Sequence, residues 1–196
     1  ASRLAQDEQN WELEHLCRDG LGTVLKHLGR YNDSIGEIQQ SLALARKTLD
    51  PLAEAASLNN IANAEMAKGN FPGAIELMRE SAKIDAEYPG WPLRLFRYYN
   101  RGILKLLTGD VEAAHADLQY ALSEALAIDL WPIAVCACGA LAICAIRVDN
   151  VDELHQRRIH LERLAGSRLR ALPERWTAEA AIAWDNALLV RETLHK

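Results

Sequence analysis

Residues 51–90 read PLAEAASLNNIANAEMAKGNFPGAIELMRESAKIDAEYPG. Two apolar-periodic stretches lie on either side of Gly69-Asn70-Phe71. Asp50-Pro51 opens the first: the aspartate can cap a helix, and the proline stands in the first turn, where a missing N–H costs nothing. Asn70 stands just before the second stretch, where its side chain can take up a free backbone N–H. The segment predicts two helices joined by a tight turn.

The same punctuation returns along the chain. Gly29-Arg30-Tyr31, Gly69-Asn70-Phe71, Gly109-Asp110-Val111 and Asp149-Asn150-Val151 follow one another at intervals of forty residues. A period held over four units marks a repeat architecture. Trp91-Pro92 and Trp131-Pro132 keep the phase, and Trp11 falls in step with them. A small residue precedes each turn by seven positions: Gly22, Ala62, Gly102 and Ala142. After the first three turns come small Ser34, Ala74 and Ala114, then larger Ile38, Met78 and Leu118, then small Ser41, Ser81 and Ala121. Small alternating with large at helical spacing describes two helices in close approach. Asp110 and Asn150 repeat the capping position of Asn70. The prolines, at 51, 72, 89, 92, 132 and 173, all fall at junctions or first turns. No stretch alternates with period two, so no sheet is expected. Nine helices are predicted, over about 5–28, 31–48, 51–68, 71–87, 92–108, 111–128, 131–148, 151–170 and 174–194.

Composition narrows the function classes. The chain has 196 residues, 22 Lys+Arg against 27 Asp+Glu, a net charge of −5, and 49% hydrophobic residues. That is enough apolar material for a core, which excludes disorder as the dominant state. Net acidity argues against nucleic-acid binding, which needs a basic footprint. Cys17, Cys136, Cys138 and Cys144 lack the spacing of a secreted framework and read as reduced, buried thiols. No charged-then-apolar leader opens the chain, so a cytoplasmic location is expected. The first residue is Ala1 rather than Met, which reads as a processed chain or a piece of a longer one. Leu130–Ile146 carries no charge but is too short for a membrane span and rich in Ala, Cys and Gly. A buried central helix is the better account, and no membrane partner is expected.

Sequence patterns for chemistry are missing. No P-loop, GxGxxG, HExxH or GxSxG occurs. Cys136 and Cys138 on a helix diverge by roughly 200°, and Cys136 and Cys144 lie roughly 12 Å apart along its axis. His155 and His160 diverge by roughly 140°. The basic run Arg157, Arg158, Arg163, Arg168, Arg170, Arg175 is interleaved with Glu153, Glu162 and Glu174, as on a solvated helix face. Its sharper alternative is a docking patch for another domain. No catalytic residue, metal or cofactor is expected.

The motifs resemble the tetratricopeptide repeat. Its marks are Leu21-Gly22 with Gly29-Arg30-Tyr31, Ser34 and Ile38, and Ile61-Ala62 with Gly69-Asn70-Phe71, Ala74 and Met78. Gly102 with Gly109-Asp110-Val111, Ala114 and Leu118 is a third copy. The likeness covers about residues 12–165, at a period of 40 rather than the usual ~34. The fourth copy departs from the pattern, with Leu154 and Arg158 at the small and bulky positions. The resemblance implies an all-α fold: a right-handed superhelical α-solenoid of antiparallel helical hairpins. About four repeats (11–50, 51–90, 91–130, 131–170) would form an array over 1–172, closed by a C-terminal capping helix in 173–196. Trp176, Ala180, Ala183, Trp184 and Leu188 would be that helix's buried stripe.

In the resembled family the first helix of each unit lines an inner, ligand-binding surface. The implied groove residues are Asn59, Asn63, Met66, Tyr99, Ile103 and Arg147, with Asp19, Thr23, Phe96, Leu106, Cys136 and Gly139 at matching phases. Asparagine amides both donate and accept, which suits the backbone of an extended peptide. The family's basic clamp for a C-terminal carboxylate is not expected, because its positions hold Asp19, Thr23, Phe96 and Asn100. The implied function is non-catalytic binding of a protein or peptide. Repeats of this length resemble those of bacterial signal-responsive transcriptional regulators, such as ATPase activators with a LuxR-type DNA-binding end, and of peptide-sensing regulators. The alternative is a structural assembly module, as a homodimer or within a larger protein.

Overall fold

The computed structural model describes residues 11–92 and 94–168, without the side chains of 158, 161, 162 and 164–168. Eight helices run through them: α1 (Trp11–His27), α2 (Tyr31–Lys47), α3 (Pro51–Lys68), α4 (Phe71–Glu87), α5 (Arg94–Leu107), α6 (Val111–Ala127), α7 (Trp131–Arg147) and α8 (Val151–Arg168). Among the described residues there is no strand. The fold is an all-α helical repeat, and its helices fall within two residues of the expected bounds wherever both ends are described. The proposed helix 174–194 lies outside the described residues.

The helix ends follow the capping chemistry of the sequence. Asp50 accepts the N–H groups of Leu52 and Ala53 at 3.1 and 3.0 Å. The side-chain oxygens of Asn70, Asp110 and Asn150 accept the N–H groups of Gly73, Ala113 and Glu153 at 3.3, 3.2 and 3.1 Å. At the other ends a left-handed residue recurs every twenty positions. Gly29, Gly69 and Gly109 have φ of 74°, 88° and 90°, and Leu49, Asp129 and Asp149 have 56°, 58° and 55°. Each lets the next N–H reach back five residues, as Arg30 does to the Leu25 carbonyl and Asp110 to Lys105, both at 2.9 Å.

The series is interrupted once. Its missing member is Pro89, whose ring holds φ near roughly −65° and excludes the left-handed region. The α4 end therefore closes differently, with the Tyr88 N–H on the Asp85 carbonyl at 3.2 Å. The next helix starts at Arg94 rather than at the expected 92.

The chain divides into two compact units, Ala1–Arg97 and Tyr98–Lys196. In the first, α1 packs on α2, α2 on α3 and α3 on α4. Its core joins Ile35, Ile38 and Leu42 of α2 to Leu58, Ile61 and Ala64 of α3, with Leu77 and Ile84 of α4 against them. Buried aliphatic side chains of this size each contribute about 1.5–3 kcal/mol. Serine hydroxyls add polar ties that keep the repeat phase. Ser41 donates to the His15 carbonyl at 3.1 Å, and Ser81, forty residues on, to the Ala55 carbonyl at 3.0 Å. Ser34 donates to the Gly22 carbonyl at 2.7 Å. The sequence marks these three only as small.

In the second unit α6 packs on α7 and α7 on α8. Helix α7 is apolar nearly all round and buries Ile133, Ala134, Val135, Ala137, Cys138, Leu141 and Cys144, as expected of a central helix. No described helix is long and apolar enough to cross a membrane.

The close approach of paired helices depends on glycine. A Cβ at Gly22 would stand 2.3 Å from Ile38 Cγ1, and one at Gly102 would stand 2.6 Å from Leu118 Cγ. These are the small–large pairs of the repeat pattern.

Candidate functional site

The implied groove residues divide between the two units. Asn59, Asn63 and Met66 lie on α3 in the first unit; Tyr99 and Ile103 on α5 and Arg147 on α7 belong to the second. Their settings differ. Asn59 is buried, Asn63 and Met66 are half-buried, and Arg147 stands exposed at the last position of α7. Tyr99 and Ile103 are half-buried. Leu106 and Gly139, read from phase as facing outward, are buried.

Asn63 has an unusual environment. Its side-chain carbonyl oxygen is buried and has no hydrogen-bond partner in the structure. Leaving such an acceptor unmade costs about 1–3 kcal/mol. The same helix satisfies its other polar groups: one turn back, Asn60 Nδ2 donates to Asp19 Oδ2 of α1 at 3.0 Å.

Asp19 is the hub of a polar cluster between α1 and α3. Ser57 Oγ donates to Asp19 Oδ1 at 3.3 Å and lies 3.2 Å from His15 Nε2. Ser57 Oγ also lies 3.4 Å from Ser41 Oγ. Burial pushes the Asp19 carboxyl above its ordinary value, against the opposing pull of His15 and of bonds from Ser41, Asn60 and Ser57. A serine, a histidine and an aspartate thus meet, but they do not form a nucleophilic relay. The carboxylate takes a bond from the serine, where a relay needs it to orient the histidine. Ser57 is fully buried and closed to a substrate. The cluster ties two helices together. Sequence reasoning misses it because Asp19 stands about forty residues from Ser57 and Asn60; the periodic phase of α1 and α3 is the signal that could join them.

Ion pairs organise the rest. In the first unit Arg97 grips Asp85, with Nε 2.7 Å from Oδ2, and both side chains are buried. Trp91 covers the guanidinium, its ring centre 4.6 Å from Arg97 Cζ. In the second unit Arg101 makes two bonds to Asp117, at 2.7 and 2.6 Å, and Lys105 Nζ adds a third contact at 2.7 Å. Burial acts to raise the Asp117 carboxyl, but the bonds from Arg101 and Lys105 prevail and hold it below its ordinary value. The Tyr98 and Tyr120 rings lie 4.5 Å apart, with Arg101 Cζ 4.6 Å over Tyr98. Arg101 and Asp117 stand eight residues on either side of Gly109, a symmetry readable in the sequence once the turn is known.

Within the basic run on α8, Arg157 is half-buried and tied to neighbouring groups, while Arg163 is exposed. Arg157 Nη2 donates to Gln119 of α6 at 2.7 Å and to Glu153 at 2.9 Å, and Glu153 also meets His115 Nε2 at 2.7 Å. Burial, then the charges of Arg157 and Arg163, lower the His160 pKa. None of the four cysteines is in a disulfide; Cys138 and Cys144 are buried, and burial pushes both up to about 11. Cys17 and Cys136, expected to be buried as well, are only half-buried. Burial likewise raises the Tyr99 hydroxyl, with the neighbouring Cys136 adding to it. Among the described residues no group of three or more His, Cys, Asp or Glu gathers to hold a metal.

Comparisons with known proteins agree with this geometry. Residues 53–123 match the family model described as tetratricopeptide repeat. No curated protein sequence matches the chain. Among solved structures, the chain resembles a singly substituted form of the nearly identical TPR-like repeats from a Podosopora anserina protein described as a kinesin light chain. Identity is 21%, over 91% of this chain and 89% of that one, with a TM-score of 0.67. The unsubstituted repeats give 19% over the same shares, with a TM-score of 0.65. BtubC (BKLC) from P. vanneervenii is 15% identical over 88% of this chain and 80% of its own, with a TM-score of 0.68. At such identities the likeness is one of fold. Repeats of this class generally serve as scaffolds for protein–protein interaction. Residues 53–123 thus carry tetratricopeptide-type repeats, and the described chain around them has the same all-α hairpin fold.

Proposed function

We propose that this chain is a non-catalytic module that binds an extended segment of a partner protein, with α3 supplying the first contacts. The observation that carries this is the unmatched, buried carbonyl of Asn63. A turn of the half-buried Asn63 amide would present this oxygen to a peptide N–H, and Met66, one turn on and half-buried, offers an adaptable apolar neighbour. Asn59 is a buried support for that surface rather than an open contact. Tyr99, Ile103 and Arg147 are the corresponding candidates in the second unit.

The test uses peptides selected from a display library on the full chain. Asn63→Ala should weaken the best peptide about tenfold, the value of one well-made hydrogen bond. It should leave the melting temperature unchanged or raised, because it removes an acceptor that the free protein leaves unmade. Equal peptide affinity in the variant would sink the reading.

The finer placement, as the cytoplasmic docking or sensor part of a bacterial regulator, rests on the forty-residue period alone. A nucleotide-binding or helix-turn-helix domain in the parent polypeptide would support it, and a parent of repeats only would exclude it.

A further inference from the structure

The repeat register shows what one face of each hairpin's first helix is for. Val24 of α1 has counterparts forty, eighty and 120 residues on: Ala64, Leu104 and Cys144, exposed by 0, 2 and 1%. Leu21 has Ile61 and Leu141 as counterparts, at 4 and 0%, while the third hairpin has the half-buried Arg101 there. Leu13 corresponds to Ile133, at 2%. On α3 the burial has a visible cause: Ile61 and Ala64 sit in the cluster formed with Ile35, Ile38 and Leu42, so the second helix of the preceding hairpin covers them.

On α1 the same face meets solvent. Leu13, Leu21 and Val24 are exposed by 41, 43 and 55%. Gly20 lies beside them with nothing within 4 Å of a built Cβ, so a neighbour could approach closely. Three apolar side chains and a glycine in register with a buried interface go beyond the scattered apolar exposure of any surface.

We propose that this stripe is the docking face for the second helix of a further hairpin of the same repeat, stacked ahead of α1 as α2 is stacked on α3. The occupant must be apolar where α2 carries Leu42, a position that α4 and α6 fill with Ala82 and Leu122. A second copy offering α8 does not fit this description, because α8 has Glu162 at that position. The site is separate from Asn63 on α3 and stands or falls independently of peptide binding there.

The test inserts a second copy of residues 11–50 between Asn10 and Trp11 of the full chain. The copied helix then meets α1 in the register that α2 has over α3. The extended protein should melt higher than the parent, with slower amide exchange in α1. Leu21→Asp with Val24→Asp in the original α1 should lower its melting temperature by about 10 °C, because two carboxylates are then buried. In the parent the same pair, exposed, should cost about 2 °C or less. An insert that stays unfolded, or equal losses in the two proteins, would overturn the proposal. So would sedimentation of the parent as a dimer that Leu21→Asp with Val24→Asp dissociates, which would assign the face to a second copy.

Discussion

At the scale of single residues, two glycines set the spacing of paired helices. In an open helix, Gly→Ala gains about 0.5–1 kcal/mol. At Gly22 the new methyl group would meet Ile38 Cγ1 at 2.3 Å and Cδ1 at 2.8 Å. Overpacking of that kind costs about 1–3 kcal/mol, so Gly22→Ala should be destabilising by urea titration. Adding Ile38→Val should recover part of the loss, and a loss unchanged by it would place the strain elsewhere. Asp19 and Asp117 offer a second test at this scale, with opposite signs. Burial raises the Asp19 carboxyl above 3.8, so folding favours its protonated form. Its contribution is present below 3.8 and is lost as pH rises through the raised folded value. Asp117 is held below 3.8, burial being outweighed by its bonds from Arg101 and Lys105. Its contribution is present above 3.8 and is lost as pH falls through the lowered folded value. Across acid titrations of stability, Asp19→Asn should remove a decline with rising pH, and Asp117→Asn should remove a decline with falling pH.

At the scale of helices and turns, the left-handed positions every twenty residues are the main punctuation. Glycine fills three of them, but Leu49 fills one with φ of 56° and is 87% exposed. A left-handed non-glycine residue costs about 1–2 kcal/mol, and the exposed leucine returns little by burial. Leu49→Gly should therefore raise stability by up to about 1 kcal/mol, after the added freedom of the unfolded chain is counted. Gly69→Ala, at φ of 88°, should lower it. If both changes are neutral by chemical denaturation, the turns are not setting the helix ends. The capping residues were legible in the sequence, because a cap is a local bond between a side chain and an N–H two or three positions on. The later start of α5 was legible too, in Pro89, but only once the twenty-residue series of turns was recognised.

At the scale of the whole chain, stacked repeats owe their stability to each unit and its immediate neighbour. The sequence places a further amphipathic segment after α8, with Trp176, Ala180, Ala183, Trp184 and Leu188 at helical spacing. We propose that residues 173–196 close the array of residues 1–172 as its cap. Truncation after Arg170 should then lower thermal stability by several kcal/mol, on the order of the loss of two buried aromatics, or bring on aggregation. A truncated chain that stays monomeric and melts like the parent would make this segment a tail. The period, the helix bounds, the caps and the small–large pairing could all be read from residues alone, because each rests on neighbours within one hairpin or on a repeated phase. Packing between helices decided the rest. It left the Asn63 carbonyl without a donor, buried Asn59 where an open contact was expected, and drew Asp19, His15, Ser41 and Ser57 into one cluster. Those outcomes depend on which side chains from distant segments share a desolvated space, and no local pattern encodes that.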